Sequence, residues 1–136
     1  MSYKFVKITS HYDTYLKYYY SRNPRVTELS YQEQYDHLMA DCFGWADFFS
    51  KHFRNIGVEA HEIVANADFL QKTWAKEHGT GERGKKLVLA QLKTLKPDVV
   101  LLENPLIFGE NFVSAVKERV ASVKQTIGVY SAPYSM

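Results

Sequence analysis

His11 and Asp13 carry the side chains of this sequence that are best suited to acid–base chemistry. They follow a short apolar run, residues 5–8, that has the character of a buried strand. A histidine in this place could act as general base toward a hydroxyl nucleophile, and a carboxylate beside it would fix its tautomer and raise its basicity. The alternative is a loop histidine that caps the tyrosine-rich helix predicted after it. Both interpretations are open on these residues alone.

Polar groups also follow two later strand-like segments. Apolar runs at residues 98–102 and 126–130 each lead into a polar loop that contains a proline. The loops that leave the carboxyl ends of parallel strands meet at one edge of an open α/β sheet and form its ligand site. We therefore expect these loops to converge on His11 and Asp13. The residues expected to bind the ligand are Ser10, Tyr12, Tyr15, Glu103, Asn104 and Ser131.

Residues 79–84, followed by Lys85, match two phosphate-binding patterns, GxGxxG and GxxxxGK. Such loops bind phosphate when they leave a strand and open a helix. Here the preceding residues, 73–78, have helical character, and Lys86 replaces the Ser or Thr that would hold Mg²⁺ in a P-loop. We expect a flexible connector; a nucleotide-binding loop is the alternative.

The elements that must position these groups are predicted from hydrophobic periodicity. Short apolar runs alternate with helical patterns in the order β-α-α-β-α-α-β-α-β. This order predicts an α/β fold, a Rossmann-like parallel sheet of about four strands flanked by helices.

The strongest helical signal is an apolar stripe that spans residues 35–56, behind a Ser-x-x-Glu capping box at residues 30–33. It predicts one helix of about 25 residues that ends at Gly57, the usual position of a left-handed cap. Gly44 interrupts the stripe, and a close backbone contact would explain a glycine there. Trp45 lies off the stripe and is expected to face a neighbouring element or the cleft.

Composition excludes several classes of protein. The 136 residues are expected to form a single domain, residues 1–136, and the scattered charges, with a formal net charge of +2, do not indicate a nucleic-acid interface. A single cysteine, Cys42, excludes an internal disulfide and a cysteine-based metal cluster. No metal site is expected at His37 and Asp41, because no further ligand accompanies them. The absence of a transmembrane stretch or signal peptide predicts a cytoplasmic protein.

Several segments spread over nearly the whole chain carry a family resemblance. They are residues 7–9 (KIT), 15–23 (YLKYYYSRN), 29–34 (LSYQEQ), 41–47 (DCFGWAD), 62–66 (EIVAN), 70–75 (LQKTWA), 89–93 (LAQLK) and 97–99 (PDV). In these segments the sequence resembles the N-terminal domain of CgeB-like glycosyltransferases. The resemblance implies a two-lobe, GT-B-type enzyme in which the N-terminal lobe holds the acceptor and the C-terminal lobe holds the nucleotide-sugar, with no obligatory metal.

The resemblance implies that this chain is the acceptor-side lobe. From their positions after the strands, we expect His11 to deprotonate the acceptor hydroxyl and Asp13, Glu103 and Asn104 to position sugar or acceptor groups. The resemblance also implies a C-terminal donor-binding lobe as partner, no cofactor in this domain, and an isolated chain without activity. An apolar patch near residues 105–108 and 133–136 would then favour a homo-oligomer. The alternative is a stand-alone flavodoxin-like α/β module that binds a nucleotide or a protein partner.

Overall fold

Four strands form an all-parallel sheet in the computed structural model, which describes residues 3–129. The strands are β1 (Lys4–Thr9), β2 (Glu59–Val64), β3 (Val99–Leu102) and β4 (Gln125–Gly128), in the spatial order β2-β1-β3-β4. The helices are α1 (Asp13–Arg22), α2 (Tyr31–Ala40), α3 (Phe48–Asn55), α4 (Asp68–Glu77), α5 (Gly84–Leu95) and α6 (Glu110–Arg119), with a 3-10 helix at Pro24–Glu28. The predicted α/β, Rossmann-like fold is confirmed. Among the described residues, no helix is long and apolar enough to cross a membrane.

The two faces of the central strand β1 differ in chemistry. Val6 and Ile8 point to one face, where they are fully buried in a core shared with α5 and α6. Lys7 points to the other face, and parallel register places it beside Glu62 of β2 and Leu101 of β3. A lysine on a central strand must be neutralised by partners, because burial of an unpaired charge is strongly unfavourable.

A second apolar core lies beside the sheet. It joins α1, the 3-10 helix, α2, α4 and the start of α5 through buried side chains such as Tyr19, Leu38 and Trp74. This cluster holds α1 and α2 in place, and these helices flank the first strand's loop at the carboxyl edge of the sheet.

The prediction of one long helix over residues 35–56 is wrong. Helix α2 ends at Ala40 and α3 begins at Phe48. In the segment between them the backbone is left-handed at Cys42 (φ 55°), Gly44 (φ 55°) and Ala46 (φ 41°), which a right-handed helix cannot contain. A Cβ atom on Gly44 would meet nothing within 4 Å, so the glycine serves this conformation and not a close contact.

Ser30 and Gly57 mark the predicted helix ends, although the Glu33 carboxylate bonds to the Ser30 hydroxyl and not to its backbone N–H. The Ser30 hydroxyl accepts from the Glu33 N–H at 3.2 Å and donates to the Glu33 carboxylate at 2.9 Å. Gly57 follows α3 with φ 84°, as a left-handed cap requires. The chain therefore starts α2 and ends α3 where the sequence indicates, and departs from the prediction only in the linking segment.

Candidate functional site

The order of the strands places two loops side by side. The chain passes from β1 to β2 on one side of the sheet and then returns to β3 on the other side of β1. This is a topological switch point, where open α/β sheets bind ligands beyond the carboxyl ends of the strands. The Glu103 N–H donates to the Ile8 carbonyl at 3.0 Å, so the loops after β1 and β3 leave the sheet together.

A cavity of about 220 Å³ opens at this edge, and we call it the switch-point cavity. It is lined by Lys7, Thr9, Ser10, His11, Tyr12, Phe43, Gly44, Trp45, Ala46 and Glu103. The volume lies below the range of about 300–1,000 Å³ that is typical of pockets for drug-sized ligands. Polar groups from the strands meet aromatic rings from the α2–α3 segment here, an arrangement that suits a small, hydroxylated ligand.

The floor of the switch-point cavity is a buried ion cluster. The Lys7 side chain is only 1% exposed, and its ammonium lies 3.4 Å from the Glu62 carboxylate and 3.6 Å from that of Glu103. The Thr9 hydroxyl donates to the Glu103 carboxylate. Lys7 is thus shared between two carboxylates, of which Glu103 is the one that reaches the cavity.

Glu62 connects this cluster to α3. Its Oε1 atom accepts from the Ser50 hydroxyl at 3.1 Å and from the Ser50 N–H at 3.4 Å. Burial raises the pKa of Glu62 to about 7, although Lys7 and the Ser50 hydrogen bonds oppose this change. Glu62 therefore changes charge near neutral pH at the base of the cavity wall.

His11 lies in the cavity wall as a buried imidazole. The residue is 8% exposed, and its ring makes edge contacts with the rings of Tyr15 and Phe43, at centroid distances of 5.7 and 5.4 Å. Burial lowers the pKa of His11, and nearby Glu103 partly opposes that effect. Among the described residues, Nδ1 has no hydrogen-bond partner. The imidazole is therefore neutral near pH 7, the form that can accept a proton.

Asp13 does not orient the His11 imidazole as the sequence suggested. Its carboxylate accepts from the Asn66 amide at 3.2 Å. The same amide clamps the His11 backbone: Asn66 Oδ1 accepts from the His11 N–H at 3.0 Å, and Nδ2 donates to the His11 carbonyl. Asp13 therefore contacts the Asn66 amide that holds the loop. Glu103 is the carboxylate whose charge raises the pKa of the His11 imidazole.

Three of the six predicted ligand-binding residues, Ser10, Tyr12 and Glu103, line the switch-point cavity. Tyr15 lies behind it, because its ring stacks on Phe43 at 3.7 Å. Asn104 caps a turn by accepting from the Leu106 N–H at 3.2 Å. Ser131 lies outside the described residues.

Six residues that line the cavity are not among the predicted site residues, namely Lys7, Thr9, Phe43, Gly44, Trp45 and Ala46, although Trp45 was expected to face a neighbouring element or the cleft. Lys7 had a visible signal, since it is a charge inside an apolar strand run, and Thr9 ends the same run. Phe43 and Trp45 were assigned to a continuous helix, which hid that their segment bends over the sheet edge. Within residues 3–129, no three His, Cys, Asp or Glu side chains are grouped closely enough to hold a metal ion.

The glycine-rich segment, residues 79–84, joins α4 to α5 and does not follow a strand. It lines a separate cavity of about 390 Å³ together with residues of α4. Phosphate loops of both matched patterns start from a strand, so this placement favours the connector interpretation.

Alanine substitutions in this connector should have unequal effects on stability. Gly84 has φ 57°, so Gly84→Ala should lower the free energy of unfolding by about 1–2 kcal/mol. Gly81→Ala should change it little, because the added Cβ meets nothing within 4 Å. Urea denaturation of both variants tests this, and equal losses would contradict the described backbone.

The expected apolar patch at residues 105–108 is only partly present. Leu106 and Ile107 are exposed, but Phe108 is 3% exposed and packs against Phe112 at a centroid distance of 4.9 Å. The prediction that Phe108 belongs to an exposed surface is therefore wrong, because this ring completes the core under α6. Residues 133–136 lie outside the described part of the chain.

Comparison of the chain with models of protein families, with curated proteins and with solved structures found no significant match in any of the three.

Proposed function

We propose that this chain is the acceptor-side domain of a glycosyltransferase, and that the switch-point cavity holds the acceptor hydroxyl. The observation that carries the proposal is a neutral, buried His11 beside the Glu103 carboxylate at the carboxyl edge of a parallel sheet. The resemblance to CgeB-like enzymes supplies the reaction class. The size of the cavity and its mixture of aromatic and polar groups support a sugar-like acceptor.

The proposed chemistry assigns a role to each group in the cavity. His11 takes the proton of the acceptor hydroxyl as that oxygen bonds to the anomeric carbon of the donor. The bond from the anomeric carbon to the phosphate oxygen breaks, and the nucleoside diphosphate leaves with the electron pair. Glu103 stabilises the imidazolium that forms. The aromatic rings of Phe43 and Trp45 offer flat apolar surfaces for a sugar ring.

The proposed partner is a donor-binding lobe that carries the nucleotide-sugar. No residue of the switch-point cavity is assigned to the donor, and no cofactor is proposed for this domain. A homo-oligomer that buries Leu106 and Ile107 belongs to the same proposal. A cytoplasmic location is proposed with it, as the composition suggests.

Calorimetry with a panel of methyl glycosides and short oligosaccharides tests the acceptor role. Glu103→Gln should weaken binding of the best saccharide about tenfold or more, because charge-assisted hydrogen bonds are the strong ones. Glu110→Gln, on the exposed first turn of α6, is the matched control and should bind like the wild type. Saccharides that bind both variants and the wild type equally would contradict the assignment.

Incubation with nucleotide-sugars tests the division into lobes. The isolated chain should neither hydrolyse nor transfer any of them. Turnover by the purified chain that is abolished by His11→Ala would show that the donor also binds here, and would overturn the acceptor-side assignment.

A stand-alone flavodoxin-like module is the second candidate, and the strand order favours it. The order β2-β1-β3-β4 matches the first four positions of the flavodoxin-like sheet, whose ligand also binds between β1 and β3. Micromolar binding of ATP or a dinucleotide that Gly81→Ala abolishes would support this candidate. We expect no detectable binding of either.

A further inference from the structure

The segment between α2 and α3, residues 41–47, forms one wall of the switch-point cavity. It contributes Phe43, Gly44, Trp45 and Ala46 to the lining, opposite the strand residues. We call this segment the cavity lid. Because a ligand in the cavity must lie against it, the way in which the lid is held determines access to His11.

The backbone of the cavity lid is strained. Cys42 and Ala46 are left-handed at φ 55° and φ 41°, although neither is a glycine. Such conformations persist only where surrounding contacts hold them, and they cluster at functional sites and switch regions. Cysteine and alanine do not favour a left-handed backbone, yet two such residues lie within five positions of the chain here.

The lid is anchored at Ala46, which is 7% exposed in the core beside the sheet, and at Phe43, whose ring lies against those of His11, Tyr12 and Tyr15. The Phe43 ring stacks on Tyr15 at 3.7 Å and 8°, and the Tyr15 hydroxyl donates to Asp41 at 2.6 Å. At the other end, Asp47 lies 3.6 Å from Arg54 on the surface of α3. Trp45, in the middle, is 58% exposed, and its ring lies 6.1 and 6.2 Å from the rings of Phe48 and Phe49 at the start of α3.

We propose that the cavity lid opens and closes over the switch-point cavity, and that the Tyr15–Asp41 hydrogen bond is the latch that holds it closed. The strain at Cys42 and Ala46 favours release, whereas the latch, the Phe43 stack and the burial of the Ala46 side chain oppose it. Opening admits the ligand and closing presses Phe43 and Trp45 against it, which excludes water from His11. The proposal rests on the proposed function only for the identity of the ligand that enters.

Amide hydrogen exchange measured by NMR tests the latch without any ligand. The Cys42 and Ala46 amides donate to the carbonyls of Met39 and Phe43 at 3.0 and 2.9 Å, so their exchange measures opening of the two turns that end at the strained residues. In the wild type both should exchange faster than the core amides of α2. Tyr15→Phe, which keeps the ring stack, should accelerate both by about tenfold or more and leave the α2 core unchanged.

Tyr18→Phe is the matched control on the same helix. The Tyr18 hydroxyl accepts from Arg22 at 2.7 Å on the exposed side of α1, so its loss should leave lid exchange unchanged. Fluorine NMR of protein labelled with 5-fluorotryptophan gives a second measurement. The Trp45 signal should shift in Tyr15→Phe, and that of buried Trp74 should not.

Two results would overturn the proposal that the lid opens and closes. Wild-type Cys42 and Ala46 amides that exchange only through global unfolding would show that the segment is rigid. Equal acceleration of α2 and the lid in Tyr15→Phe would show that Tyr15 supports the whole fold and not a latch. Neither result depends on saccharide binding, so failure of the lid and failure of the acceptor assignment are distinguishable.

Discussion

Replacing Lys7 with methionine should lower the free energy of unfolding by about 3–5 kcal/mol at slightly alkaline pH, above the raised pKa of about 7 of the buried Glu62 carboxyl. The Lys7 ammonium lies 3.4 Å from Glu62 and 3.6 Å from Glu103 inside the fold. Methionine retains most of the length of the side chain but removes the charge, so two carboxylates lose their cation. Urea denaturation followed by circular dichroism measures the loss.

The matched control is Lys4→Met on the same strand. Lys4 pairs with Glu59 at 3.7 Å, but the Lys4 side chain is 30% exposed and that of Glu59 66%, so the loss should stay below about 1 kcal/mol. The loss in Lys7→Met should also shrink as the pH falls, because a protonated Glu62 needs no cation. Equal losses for the two lysines would contradict a buried ion cluster.

Glu62 should make stability fall as the pH rises from about 4.5 to about 7. Burial raises the pKa of this carboxyl from 4.5 to about 7, so in that interval the folded state holds a proton that the unfolded state has lost. A shift of this size corresponds to about 3 kcal/mol. Glu62→Gln removes the titration, so the variant should gain about that much stability relative to the wild type across the interval.

His61 has the opposite effect, and it partly hides the Glu62 titration in the wild type. Burial lowers the pKa of His61 to about 4 from 6.5, so its contribution to stability is lost as the pH falls through this range. Denaturation of the wild type and Glu62→Gln should therefore be compared at each pH, since His61 acts equally in both. A difference between the two curves that does not change with pH would contradict the raised pKa of Glu62.

The sheet could be predicted from the sequence because each strand carries its own signal. The segments that form β1 and β3 are apolar and end in polar loops, and between them the sequence predicts two helices, a strand and two further helices. Convergence of Ser10, His11, Tyr12 and Glu103 then followed from the parallel arrangement alone, since the carboxyl ends of such strands meet at one edge.

The break between α2 and α3 could not be predicted in the same way. The apolar stripe continues through residues 35–56, and two of the three left-handed residues, Cys42 and Ala46, are types that ordinarily occur in helices. Asp13 was paired with His11 because the two are neighbours in sequence. In the structure the Asp13 carboxylate instead accepts a hydrogen bond from Asn66. This residue lies in the loop after β2 and is distant from Asp13 in sequence.

NMR mapping of saccharide binding is the most direct test of the claim that the switch-point cavity is the ligand site. Titration of the isotopically labelled chain with the best methyl glycoside should shift the His11 imidazole, the Trp45 indole and the Glu103 carboxyl signals first and most. Lys86, outside the residues that line the cavity, should stay unchanged. Chemical-shift changes centred on residues 79–84 would contradict the claim that the switch-point cavity is the ligand site. The absence of any change at high saccharide concentration would contradict it as well.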